Sequence, residues 1–274
     1  MTRLYIYASH PNQLNDSVDC FPYLLDFSGT SEKELKAIYV SFYDQVLASC
    51  GKNLNLLRQT TSEYFALFMG RKFGVVSLSQ DNVNVSLWNN YTDSKGYCVE
   101  LDVNDFPFKN YGPFPIHYVN ELNPVKIDRN LGVAFLIQTN VKTEDWKEEK
   151  EWRMLVANPE GLDFSSYESD GSYSQRFGSP DEHDRKMKYP LQAVKSITLG
   201  ERFFRASNIK CYPISDGEQE VVFLDEKERL RCKLLDFVQG KTFKLFMLEN
   251  NLGTLSAYPV QIVKLQNRVY RIIK

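Results

Sequence analysis

The densest run of chemistry-bearing residues is Trp146-Lys147-Glu148-Glu149-Lys150-Glu151-Trp152-Arg153. Read as a strand, in which alternate residues share a face, it points Glu149, Glu151 and Arg153 one way and Trp152, Met154 and Val156 the other. Two carboxylates about 7 Å apart on one face, beside a guanidinium and backed by an aromatic ring, fit an acid/base or sugar-binding edge. The same spacing fits a strand-face ion pair in which Arg153 neutralises its neighbours. Ser77-Leu78-Ser79 places two hydroxyls on one face at a strand end, either to satisfy the turn that follows or to hydrogen-bond a nucleotide or ribose. Neither serine lies in a Gly-x-Ser-x-Gly elbow or near a triad histidine, which disfavours a serine hydrolase. Trp88 and Tyr91, three apart on a helix, read as core or as a base-stacking platform. Asn15, Asp16 and Asp19 read as an Asx turn or as hard-cation ligands, and Asp145 with Glu148-x-Lys150 is a loose metal-nuclease pattern.

Other chemistries are argued against. His10, His117 and His183 form no ligand-spaced pair, and the five cysteines (Cys20, Cys50, Cys98, Cys211, Cys232) contain no Cys-x-x-Cys and are odd in number. Neither a histidine- or cysteine-rich metal centre nor a disulfide framework is expected, and the cysteines read as buried thiols. No glycine-rich phosphate loop or dinucleotide fingerprint occurs. The formal net charge of −2 over 274 residues rules out holding nucleic acid mainly by bulk charge. The stretch 201–274 is mildly basic, which reads as a solvated face or a nucleic-acid surface. Hydrophobic residues at 43% can close a core. No apolar run approaches a membrane span and the first residues lack a signal-peptide core, so a cytoplasmic protein without a membrane partner is expected.

Periodicity supplies the elements that must hold these residues. A short strand is expected over Leu4–Ala8. A helix runs from Ser31, with Glu34 completing a capping box, to Gly51. A second helix is expected around Ser62–Met69, a strand over Phe73–Ser79 and a short helix over Val83–Tyr91. Strands follow from Tyr97, at Pro115–Val119, Glu151–Val156 and Val194–Leu199, with a long loop over 158–190. A late helix spans about Glu226–Val238, and strands return at Phe243–Met247, Val260–Leu265 and Val269–Ile273. The fold class is α+β: one domain over 1–274, with a core about 4–250, C-terminal strands over 243–274, and a split, mostly antiparallel sheet flanked by helices.

Taken in order, these pieces resemble the bacterial and phage domain-of-unknown-function family numbered 2971. The segment Leu14-Asn15-Asp16-Ser17-Val18-Asp19 is similar to its Phe-Asn-Asp-Pro-Phe-Asp turn. Ser77-Leu78-Ser79, then Trp88, Tyr91, Gly96 and Glu100-Leu101-Asp102, resemble its serine-rich strand, Trp-x-x-Tyr helix and Gly-led strand. His117-Tyr118-Val119 is similar to its Val-x-Tyr strand, Lys142 with Trp146-x-x-Glu149-x-Glu151-x-Arg153 to its Lys…Trp-x-x-Glu-x-Glu-x-Arg signature, and Val194–Gly200 to its Ile-x-x-Ile-x-x-Gly strand. The likeness implies one mixed α/β domain.

More distantly, the chain resembles ADP-ribosyltransferases of the Arg–Ser–Glu type, whose sheet carries a Ser-x-Ser strand and a later Glu-x-Glu strand. That likeness implies NAD as co-substrate and no metal. It implies that Ser77 and Ser79 hold the nicotinamide ribose, Glu151 hydrogen-bonds its 2′-hydroxyl, Glu149 orients the acceptor and Tyr91 stacks on the nicotinamide, with Trp88 and Arg153 in the same binding set. The acceptor would be a protein or nucleic acid, and the setting a toxin or defence effector. Two other readings stand beside it: a non-catalytic recognition or scaffold domain, and the metal-dependent nuclease using Asp145 and Glu148-x-Lys150.

Overall fold

A computed structural model describes residues 4–14, 16, 18–127, 131–157 and 185–274, so most of the expected loop over 158–190, with Asn15 and His183, lies outside the described residues. Strands β1 (Tyr5–Tyr7) and β2 (Leu25–Asp26) precede helices α1 (Glu32–Tyr39), α2 (Tyr43–Ser49) and α3 (Leu54–Lys72). Then come β3 (Phe73–Ser79), α4 (Val85–Thr92), β4 (Tyr97–Leu101), β5 (Asn110–Pro115), β6 (His117–Val119), β7 (Val125–Lys126), α5 (Leu131–Asn140), β8 (Val141–Thr143), β9 (Glu151–Ala157) and β10 (Lys186–Lys188). The remainder holds β11 (Val194–Leu199), β12 (Ile209–Ser215), β13 (Glu218–Phe223), α6 (Arg229–Val238), β14 (Lys244–Asn251), β15 (Thr254–Pro259), β16 (Gln261–Gln266) and β17 (Val269–Ile273). The architecture is mixed α+β, with its strands divided among several sheets. Among the described residues no helix is long and apolar enough to cross a membrane.

The contacts divide the chain into two compact units, Tyr5–Gln80 with Phe108–Lys188, and Asp81–Pro107 with Tyr189–Lys274 and the N-terminal residues up to Leu4. In the first, β9 is the central strand of an antiparallel sheet ordered β3-β9-β5. Its register sets Ser77 opposite Arg153 and Ser79 opposite Glu151. Ser9 and Val75 exchange backbone hydrogen bonds of 2.9 and 2.8 Å, so the chain leaving β1 runs beside β3. That approach requires glycine at 74, where an added Cβ would lie 2.5 Å from the Ala8 Cβ. Helices α1, α2, α3 and α5 bring Leu35, Tyr39, Tyr43, Leu57, Phe65 and Phe135, with Phe27 from after β2, into one core with Val75 and Leu155 of the sheet. Two short parallel pairs, β2–β7 and β6–β8, and the antiparallel pair β1–β10 also belong to this unit.

The second unit has two four-stranded sheets, ordered β15-β14-β11-β4 and β12-β13-β17-β16, with α6 burying Leu235 and Val238 among Ile197, Phe203, Val221 and Tyr270. Helix α4 closes a smaller cluster here through Trp88, Leu248 and Leu255.

The helix expected from Ser31 to Gly51 is interrupted. Val40 takes φ 49°, and this break lets Tyr39 and Tyr43, on either side of it, both enter the core. The start is as expected: the Ser31 hydroxyl accepts from the Glu34 N–H, and the Glu34 carboxylate accepts from the Ser31 N–H at 2.8 Å. Ser31→Ala is therefore expected to cost about 1 kcal/mol, read as a lower urea midpoint at unchanged slope. An unmoved midpoint would mean that packing alone holds α1.

Candidate functional site

Arg153 is the second residue inward on β9, and its side chain is fully buried at 0% exposure. A guanidinium in that position must find an acceptor for each of its five N–H groups or lose its hydration without return. Five main acceptors are supplied from three parts of the chain. Nε donates to Glu151 Oε1 at 2.8 Å, and Nη2 to Glu151 Oε2 at 3.3 Å and Asp19 Oδ2 at 2.5 Å. Nη1 donates to Asp19 Oδ1 at 2.7 Å and to the Thr139 carbonyl at 2.6 Å, with the Cys20 sulfur at 3.5 Å.

Local structure explains why those acceptors are in place. Asp16 makes an Asx turn: its Oδ1 accepts from the Val18 N–H and its carbonyl from the Asp19 N–H, each at 3.1 Å. The turn delivers Asp19 to Arg153 in a bidentate pair. The Thr139 carbonyl belongs to the last turn of α5, where carbonyls lack intrahelical partners and carry the negative end of the helix dipole. Gln138, beside it, donates from Nε2 to the Cys20 carbonyl at 3.0 Å and so ties α5 to the turn.

Lys142, at the centre of β8, adds a second buried cation. Its ammonium lies 2.9 Å from Glu149 Oε2, 3.2 Å from Glu151 Oε2 and 4.0 Å from Asp19 Oδ2, with the Trp146 ring centroid 4.3 Å away. Three carboxylates and two cations, all five among the described residues, meet in this buried set. Tyr118, paired with Lys142 in the β6–β8 register, accepts the Glu151 N–H on its hydroxyl at 2.9 Å.

Burial by itself would push the Glu151 carboxyl up. The Arg153 guanidinium, hydrogen bonds from Arg153 and Ser77, and the Lys142 charge outweigh that and hold it below the usual glutamate range. Burial likewise would lower Lys142, but Glu151 and Glu149 hold it above the usual lysine value. Desolvation raises the Cys20 thiol, which keeps it protonated at neutral pH.

Of the residues singled out in the sequence, Ser77, Ser79, Glu149, Glu151 and Arg153 lie together at one end of the β3–β9 pair. Ser79 donates to the Glu149 carbonyl at 3.3 Å. The strand expected over Glu151–Val156 is β9, which begins at Glu151, but the alternation carried back to Glu149 is corrected: residues Glu144–Glu149 form a 3-10 turn and Lys150 takes left-handed φ 47° and ψ 47°. Glu149 still meets Glu151, through Lys142 and not through strand alternation. Trp88 and Tyr91 belong to the other unit. Trp88 is a core residue whose indole donates to the Asn82 carbonyl at 2.8 Å, while Tyr91 is 56% exposed on α4. Asp145, Glu148 and Lys150 are exposed on their turn, and among the described residues no group of three or more His, Cys, Asp or Glu is arranged to hold a metal ion.

The chain was also compared with known proteins. No family model, curated protein or solved structure matches it.

Sequence reasoning missed Asp19 as the partner of Arg153, together with the Thr139 carbonyl and the Cys20 sulfur. An arginine between apolar strand residues signals that counter-charges exist, but not where in the chain they lie. Arg153→Met, which strands two buried carboxylates, is expected to cost about 3–5 kcal/mol in denaturant unfolding. Because the Glu151 carboxyl is held below its unfolded value, its stabilisation is complete above about pH 4.5 and is lost as pH falls through the lower folded value. Glu151→Gln should remove that part of the acid sensitivity in a pH series of unfolding curves.

Proposed function

We propose that the first unit carries an NAD site of the ADP-ribosyltransferase type, at the end of β3 and β9. One observation supports this most: the Ser-x-Ser strand pairs directly with the glutamate strand, with Ser77 opposite Arg153 and Ser79 opposite Glu151. The serines are exposed while the carboxylates stand behind them, an order suited to ribose hydroxyls meeting an ionised glutamate.

In the reaction so read, the bond from ribose C1′ to the nicotinamide nitrogen breaks and nicotinamide leaves with the electron pair. The acceptor nucleophile forms the new bond to C1′ and releases its proton. Positive charge develops on the ribose in the transition state, and an ionised glutamate held beside it favours it there more than in the ground state. The roles assigned are ribose contact for Ser77 and Ser79, charge stabilisation for Glu151 and acceptor orientation for Glu149. Arg153 keeps Glu151 ionised and aimed. Trp88 and Tyr91 have no part in this reading.

A second reading, a non-catalytic recognition or scaffold domain, is favoured by a different observation. Both Glu151 oxygens are ion-paired and the residue is 6% exposed, so the network also suits a purely structural role.

Calorimetric NAD titration with nicotinamide release separates the two. The enzyme reading expects binding by the wild-type protein, retained binding with at least a hundredfold slower release in Glu151→Gln, as for loss of one transition-state stabiliser, and weaker binding in Ser79→Ala. A wild-type protein that neither binds nor consumes NAD leaves the non-catalytic reading.

A further inference from the structure

We propose that Lys142 is the positioning residue of the carboxylate pair: its ammonium, bridging Glu149 and Glu151 beneath the Trp146 ring, fixes how the two are presented to a ligand. The inference rests on the reading of this edge as an NAD site.

The two carboxylates reach the edge by unlike routes. Glu151 is the first residue of β9, oriented by the sheet and held by Arg153. Glu149 ends a 3-10 turn and is separated from the strand by the left-handed Lys150, so sheet geometry does not aim it. The Lys142 ammonium joins them, at 2.9 Å to one and 3.2 Å to the other. Lys142 is itself placed without freedom: it is the middle residue of β8, in register with Tyr118, and only 3% of its side chain is exposed. The Trp146 face 4.3 Å from Nζ covers the ammonium with an aromatic surface that favours a cation. A third carboxylate, Asp19, is 4.0 Å away but already clamped by Arg153, so the ammonium is directed to the glutamates.

The groups facing Glu151 are Arg153 on its own strand, Lys142 from β8, Asp19 and Cys20 from the turn, and Glu149 from the 3-10 segment. Ser77 of β3 bonds its carboxyl and Tyr118 of β6 its backbone N–H. Within this set, neutralising Lys142 removes a positive charge that helps hold the Glu151 carboxyl low, so Glu151 must protonate at higher pH.

The test compares Lys142→Met with Lys142→Arg, by carbon NMR of labelled glutamate carboxyls and by the acid limb of NAD binding. Lys142→Met is expected to move the Glu151 titration up by about one pH unit or more, carry the acid limb of binding with it, and weaken NAD binding about tenfold at neutral pH. Lys142→Arg is expected to restore the titration. A folded Lys142→Met protein with lower Tm but an unmoved Glu151 titration overturns the proposal. Should that variant not fold, nitrogen NMR of the wild-type lysines decides: an Nζ signal that follows the Glu151 titration supports the bridge, and one indifferent to it overturns it. Absence of NAD binding by the wild-type protein would overturn the NAD reading alone, since the carboxyl and lysine titrations are read without NAD.

Discussion

The first unit is organised around one constraint, the need to satisfy a guanidinium that has been taken out of water. Arg153 sits between apolar residues of a central strand, with no exposure. Its five donors are met by a turn near residue 19, the end of α5 and the start of β9, segments separated by up to 134 positions in the chain. Such a network contributes little net stability compared with apolar packing of the same volume, because desolvation offsets most of the Coulombic gain. Its directional demand is far stronger than its net energy. Asp19, Thr139 and Glu151 together supply an acceptor for each N–H of the guanidinium, and this ties the three segments to one another.

The same constraint prepares the edge that bears the serines. Lys142 and Arg153 keep Glu151 ionised despite burial. Ser77 and Ser79 stand at the exposed end of the adjacent strand. A carboxylate held ionised serves a charge-stabilising role better than an acid/base role, since with its pKa lowered it takes up a proton only weakly near neutral pH. The proposed reaction, glycosyl transfer from NAD, is one in which cationic character appears on the ligand. The enzymatic and structural readings differ in whether a ligand reaches these oxygens past their existing partners.

Local elements were legible where one physical rule dominates. The Ser31–Glu34 capping box, the strand Phe73–Ser79 and the strand Val194–Leu199 stand where the sequence places them. Legibility failed where two rules compete. Helical periodicity runs through Val40, yet the chain breaks there to bury Tyr39 and Tyr43. Alternation runs through Glu149, yet Lys150 adopts a left-handed conformation and starts the strand two residues later. Helix α5 was unread because Leu131–Ile137 is almost uniformly apolar and shows no amphipathic period. Strand β12 was unread because Ile209 is its one buried residue and it shows no alternation.

The sequence by itself determined the α+β class, most strand and helix centres, and the shared face of Glu151 and Arg153, because capping and side-chain alternation act over only a few residues. Tertiary structure alone decided that Asp19 is the counter-ion of Arg153, that Lys142 joins the two glutamates, and that Trp88 and Tyr91 belong to a different unit from the serines. These are consequences of burial. A charge withdrawn from water must be matched by whatever group the fold brings within about 3 Å, and a carboxylate elsewhere in the chain carries no mark of which cation it will meet.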